Sequence, residues 1–221
     1  NISEEDNQNI NMAEGAILIT AGSGVDTGGY YHNIHIYNNT IYTNGTLLNN
    51  PVVAIDDIPV LNLDIDSIYI RNNLFITNGT PFIRVHPTYM SSTLWFQGNN
   101  YWAQTGGTLI EWGASNYTTL SAWSNATGQE EYSGNPVWHT FDPLLTAPGL
   151  ADTIYPALLS SMTAYQLLPG SPAIDSAMNL NQLFGYNIGS QDFFGGTLTN
   201  PTGNGYDIGA HEYGALPTTV Y

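Results

Sequence analysis

Cysteine and lysine are both missing from this 221-residue chain, and each absence removes a class of chemistry. Without cysteine there is no disulfide framework and no thiolate metal site. Without lysine, Arg71 and Arg84 are the only fixed cations, set against 18 acidic residues for a formal net charge of −16. No basic patch can displace counterions from phosphates, which excludes nucleic acid as a partner. An anionic membrane surface is disfavoured on the same ground. No apolar run is long enough for a signal-peptide core or a membrane span, so direct membrane insertion is not expected. Charge of either sign is scarce. At 9% it falls far below the roughly 25% usual in soluble domains. The polar surface must come from Asn, Ser, Thr, Gly and Tyr, while 42% apolar residues suffice for a sizeable core. That balance points to an all-β secreted protein.

What is present is a repeat. Residues 33–46 read NIHIYNNTIYTNGT and residues 67–80 read SIYIRNNLFITNGT, a shift of 34. Each is a short alternating strand, an Asn-Asn corner, a second short strand and an Asn-Gly-Thr turn. A third, degenerate copy, LWFQGNNYW at 94–102, places Leu94 and Phe96 on Ile68 and Ile70, and Asn99 on Asn73, at a shift of 26. Strand-turn units at this spacing signal stacked repeats, and unequal shifts fit a common cross-section with loops of different length. Side chains alternate along a strand. Ile34, Ile36, Ile68, Ile70, Leu94 and Phe96 are therefore predicted to form one apolar ladder, in which each repeat buries its neighbour's face. Asn at the corners tolerates left-handed backbone, and its amide can bond to the amide of the next repeat.

The repeat fades after Tyr101. Leu120 and Trp123 share one face of a short helix predicted to start near Thr118 or Thr119. Pro and Gly punctuate the chain from Asn135 onward. The expected organisation is repeat units over 1–112 and a loop-rich segment over 113–221 packed against them. The opening Asn1-Ile2-Ser3 begins mid-pattern, which reads as part of a longer precursor whose earlier repeats precede it.

These residues resemble right-handed parallel β-helix proteins of the pectate-lyase-like superfamily. The later part resembles the C-terminal segment of secreted bacterial members. LSAW at 120–123, TGQE at 127–130, DPL at 142–144, YQL at 165–167, GSPAID at 170–175, DFFG at 192–195 and DIGAHEY at 207–213 carry that likeness. One departure is Gly196-Thr197, where an Arg often follows the Asp-x-x-Gly element. The resemblance implies an all-β right-handed parallel β-helix with a loop-rich C-terminal segment and one short helix. It also implies an extracellular or cell-surface protein that meets polysaccharide.

Two functions follow as expectations. One is a module that binds or structures polysaccharide, with homo-oligomeric or end-to-end stacking through open sheet edges. The other is a polysaccharide lyase or glycoside hydrolase whose groove lies on repeats preceding this chain. A lyase needs a base and a cation near a uronate. Arg84 and His86 share one face of the strand around Ile83 and Val85 and form the best cationic pair. Arg71, beside its corner, is expected to face outward. A hydrolase needs two carboxylates. Asp64 and Asp66 share a strand face about 7 Å apart. With Asp56 and Asp57 they form either a catalytic pair, a calcium site or a plain solvated face. Tyr30, Tyr31, Tyr37, Tyr69, Trp95 and Trp102 are candidates to stack on sugar rings, Tyr37, Tyr69 and Trp95 foremost. Asn1, Asn38, Asn44, Asn78, Asn116 and Asn125 begin glycosylation sequons. The carboxylates Asp175, Asp192 and Asp207, and the pair His211-Glu212, are read as structural.

Overall fold

A computed structural model describes residues 1–4, 15–20, 32–45, 50–56, 67–87, 93–150, 162–198 and 205–215. The fold is β-rich with mostly parallel sheets. Three successive strands make one unit, and each strand pairs with its counterpart three strands on. β1 (Ile2–Glu4), β4 (Thr40–Asn44), β7 (Leu74–Asn78) and β10 (Asn100–Thr105) form the first sheet. β2 (Ile17–Thr20), β5 (Val53–Asp56), β8 (Ile83–Val85) and β11 (Ile110–Trp112) form the second, and β12 (Ser115–Tyr117) joins it antiparallel to β11. β3 (Ile34–Tyr37), β6 (Ile68–Arg71) and β9 (Leu94–Gln97) form the third.

The register follows the sequence repeat. Ile34 pairs with Ile68 and then Leu94, and Ile36 with Ile70 and then Phe96. With Val53, Ile55, Phe75, Ile83, Tyr101 and Ile110 these side chains make the principal core. The first residue of each corner is left-handed: Asn38 has φ 53°, Asn72 φ 52° and Gly98 φ 71°. The second residue links the units. Asn39 Nδ2 donates to Asn73 Oδ1 (2.8 Å), and Asn73 Nδ2 donates to Asn99 Oδ1 (2.9 Å). Asn1, in register with them, donates to Asn39 Oδ1 at 3.2 Å and extends the amide ladder by one position.

All three sheets are covered where the repeats end. Helix α1 (Leu120–Thr127) begins where expected, with Thr119 Oγ1 accepting the Ala122 N–H, and stops at left-handed Gly128. It drives Trp123 against Phe96, Tyr101 and Trp112 at ring separations of 5.4–6.1 Å. The Gln129 amide then takes the place of a further strand, accepting from Phe96 N (2.8 Å) and donating to Leu94 O (2.7 Å). A bridge from Asn100 to His139 covers β10, and β12 covers β11.

A second apolar cluster lies on the opposite face of the first sheet. In β7, Phe75 points into the principal core while Leu74 and Ile76 point away and meet Leu145, Tyr165, Leu167, Ala173 and Ile208. The strand is thus buried on both faces. Gly209 sits at φ 104°, where a Cβ would lie 2.7 Å from Thr40 Oγ1 and 3.1 Å from Leu74 Cβ, so the 207–213 signature docks flush on this sheet. The sequence pointed to one helix, but there is a second, α2 (Leu180–Phe184), capped by Asn179 and ended by left-handed Gly185. At five residues it is too short to show a helical period.

Candidate functional site

Because Ile34 and Ile36 face inward, the alternate residues of the third sheet face outward in two rows. Register places His35, Tyr69 and Trp95 in one, and Tyr37, Arg71 and Gln97 in the other. The first row is the open one. His35 is exposed and stacks on Tyr69 with centroids 5.0 Å apart and planes 19° apart. Tyr69 is half-buried, and Trp95 is 40% exposed. Partial desolvation, and secondarily the Arg71 charge, hold the His35 pKa below its ordinary value.

The second row is covered by the end of α2 and the residues that follow it. Arg71, expected to face outward, does leave the core, but it is buried at 4% exposure beneath Phe184 and Tyr186. Its guanidinium lies 3.8 Å from the Phe184 centroid and 4.6 Å from that of Tyr69. Nε donates to Gln97 Oε1 (2.8 Å) and Nη1 to the Tyr186 hydroxyl (2.5 Å). The reason is spatial: a residue outward from one sheet meets the chain's own C-terminal segment, which local alternation cannot foresee. Tyr37 is half-buried and stacks on Tyr186 at 6.3 Å, while Tyr186 also meets His35 edge-on at 4.4 Å. His35, Tyr69 and Trp95 therefore form a floor, with Tyr186 as a wall beside His35. Phe184 and Tyr186 escaped sequence reasoning; a signal existed in the Phe-Gly-Tyr triplet that spans the helix stop at Gly185.

The remaining candidates lie elsewhere. Arg84 and His86 line a groove of about 360 Å³ on the second sheet with Ala54, Glu111 and Asn116. Arg84 is ion-paired through Nε to Glu111, and His86 is exposed. Asp56 ends β5, but its side chain and the whole of Asp57, Asp64 and Asp66 lie outside the described residues, as do Tyr30 and Tyr31. Trp102 packs half-buried on the second cluster. Among the sequons, Asn116 and Asn125 are exposed, Asn78 Nδ2 donates to Asn44 Oδ1, and the Asn38 Oδ1 is buried.

The C-terminal carboxylates serve the backbone. Asp192 Oδ1 accepts from Phe194 N and Gly196 N, and its Oδ2 from Glu212 N. Asp207 accepts from Asp175 N and Tyr213 N, and Asp175 from Gly205 N. His211 Nδ1 accepts the Leu167 N–H at 2.9 Å. Burial, then the Asp207 charge, raise Glu212 to about 8. Among the described residues no three carboxylate or imidazole groups converge as a metal site. Likewise, no described helix is long and apolar enough to cross a membrane.

No protein-family model, curated protein or solved structure matches the chain. The functional reading therefore stands on the geometry.

Proposed function

We propose that the three sheets wind as a right-handed parallel β-helix of the pectate-lyase-like kind, and that the chain is an extracellular or cell-surface module that binds polysaccharide. The observation that carries the binding is the in-register outward row His35, Tyr69 and Trp95, with Trp95 40% exposed. Neighbouring strands lie about 4.8 Å apart, so the row presents one ring per strand across the sheet. Tyr and Trp offer an apolar face to sugar C–H groups and a polar edge to hydroxyls. An aromatic row with His35 and Trp95 exposed offers a contact surface.

A lyase or hydrolase finds less support. Arg84 is paired with Glu111 and Arg71 is buried under aromatic rings, so neither guanidinium stands ready to take a proton. End-to-end stacking of copies finds less support at the α1 end, where the Gln129 amide and the Asn100–His139 bridge occupy the edges of β9 and β10 and the second sheet ends in the short antiparallel β12. The test is affinity electrophoresis through gels containing a panel of soluble polysaccharides. Retarded migration that is lost in Trp95→Ala, at unchanged melting temperature, is the expected result. Equal retardation of native protein and Trp95→Ala would remove the row as the binding face.

A further inference from the structure

We infer that the polymer lying along His35, Tyr69 and Trp95 is an uncharged polysaccharide, running across the strands. This rests on the reading of that row as the binding face. It is a statement about which glycans the face accepts.

A uronate or sulfate group is held by a guanidinium or ammonium in a charge-assisted contact. This chain has no lysine and two arginines. Arg71 is the one nearest the row, and its contacts are spent inside the protein: Gln97 Oε1, the Tyr186 hydroxyl and the faces of Phe184 and Tyr69. At 4% exposure it lies beside the row, covered by Phe184 and Tyr186. Arg84 is on a different sheet and ion-paired with Glu111. His35 is the remaining candidate for charge in the row, and partial desolvation, then the Arg71 charge, disfavour its protonated form.

The long-range field points the same way. A chain with formal net charge −16 repels a polyanion before contact. Calcium could bridge two anionic surfaces, but no group of three acidic or imidazole side chains converges for it among the described residues. What the row does offer is the exposed Trp95 ring and the edges of the His35–Tyr69 stack, an uncharged surface that suits pyranose faces rich in C–H. Because His35, Tyr69 and Trp95 stand on successive strands, a chain contacting all of them runs perpendicular to the strand direction.

The experiment compares the intact chain on two sets of gels. One set holds laminarin, xyloglucan or galactan; the other holds polygalacturonate or alginate. Each is run at low and high salt, with and without millimolar calcium. Binding to one or more neutral polymers, insensitive to salt and calcium, is expected, with no binding to the charged ones. Trp95→Ala should weaken the neutral interaction about tenfold, the loss of a stacking contact of roughly 1.4 kcal/mol, and Trp95→Phe should keep most of it. Calcium-free binding of polygalacturonate or alginate through the same row would overturn the uncharged assignment while leaving the row in place. So would binding that needs calcium and disappears with chelator. Failure of the native protein to bind any polymer would instead sink the underlying reading of the face.

Discussion

Asn99 hands its side-chain ladder to a carboxylate: its Nδ2 donates to Glu130 Oε1 at 2.6 Å, and the Tyr101 hydroxyl donates to the same oxygen at 2.7 Å. Glu130 is fully buried. Loss of water outweighs these hydrogen bonds and raises its pKa from 4.5 to about 7. A raised carboxyl pKa means the folded protein holds a proton that the unfolded chain releases. This stability is complete below about pH 4.5 and is lost as pH rises to about 7. At about 1.4 kcal/mol for each pH unit the loss is roughly 3 kcal/mol. Glu212, raised to about 8, acts in the same direction. Both carboxyls lower the melting temperature as pH rises, while His35, His139 and His211, held below their ordinary value by burial, act in the opposite direction up to about pH 6.5 in native protein and variant alike. Glu130→Gln, which keeps an acceptor for Asn99 and Tyr101, should flatten the fall below pH 7 and melt above the native protein at pH 8. A Glu130→Gln variant whose melting temperature follows pH just as the native protein's does would contradict the assignment.

Asn73 is the middle member of the ladder and fully buried. Its Oδ1 accepts from Asn39 N and Nδ2, and its Nδ2 donates to Ile36 O and Asn99 Oδ1. Asn73→Ala strands all of these groups, each costing about 1–3 kcal/mol where water cannot replace the bond. A loss of about 3 kcal/mol or more is expected in urea denaturation. Asn39→Ala, at a half-buried position, should cost less. Asn73→Asp should also be severe, because a carboxylate cannot donate to Ile36 O. Equal, small effects at both positions would mean that the amides mark turns without holding the units together.

The repeat was legible because stacking demands it. Ile34, Ile68 and Leu94 must recur at matching places for any unit to bury its face, and the Asn corners must recur for the chain to turn, so both appear as self-similarity. The cap was half legible. Thr119, Leu120 and Trp123 carry a helix start and an apolar face, but Gln129 standing in for a strand leaves no local trace. The site was legible only as far as alternation reaches. Tyr69 and Trp95 follow from Ile68 and Ile70 facing inward. The burial of Arg71 does not, since Phe184 and Tyr186 arrive from more than 110 residues away. The pairing of Arg84 with Glu111 was hidden for the same reason: the partner lies one repeat further on.

Gly209 tests how the C-terminal signature is docked. Its φ of 104° is costly for any side chain, and a Cβ would press on Thr40 Oγ1, which itself accepts from Ala210 N at 3.0 Å. Gly209→Ala should destabilise by about 2 kcal/mol or more and speed proteolysis within 162–215, while Gly134→Ala, where a Cβ meets nothing within 4 Å, should be far milder despite its φ of 76°. Indistinguishable proteolysis of the two variants would show that the signature is not pressed against β4 and β7.

Arg71 and Phe184 are the clearest pair linking the open row to the covering segment. The guanidinium lies 3.8 Å from the ring centroid in a desolvated setting, where a cation–π contact is worth roughly 2 kcal/mol. A double-mutant cycle with Arg71→Met and Phe184→Leu should therefore give a coupling of about 1–2 kcal/mol. Arg71→Lys keeps the charge but loses the planar fork that reaches Gln97 and Tyr186 together, so it should recover only part of the loss. Hydrogen exchange should accelerate at Leu183 and Gly185, whose N–H groups close α2, and stay unchanged at Asn100, whose N–H bonds to Asn73 O in the first sheet. Additive effects of the two substitutions, or protection unchanged at Leu183 and Gly185, would mean that the covering segment holds its place without Arg71. The Tyr186 wall of the aromatic floor would then need another support.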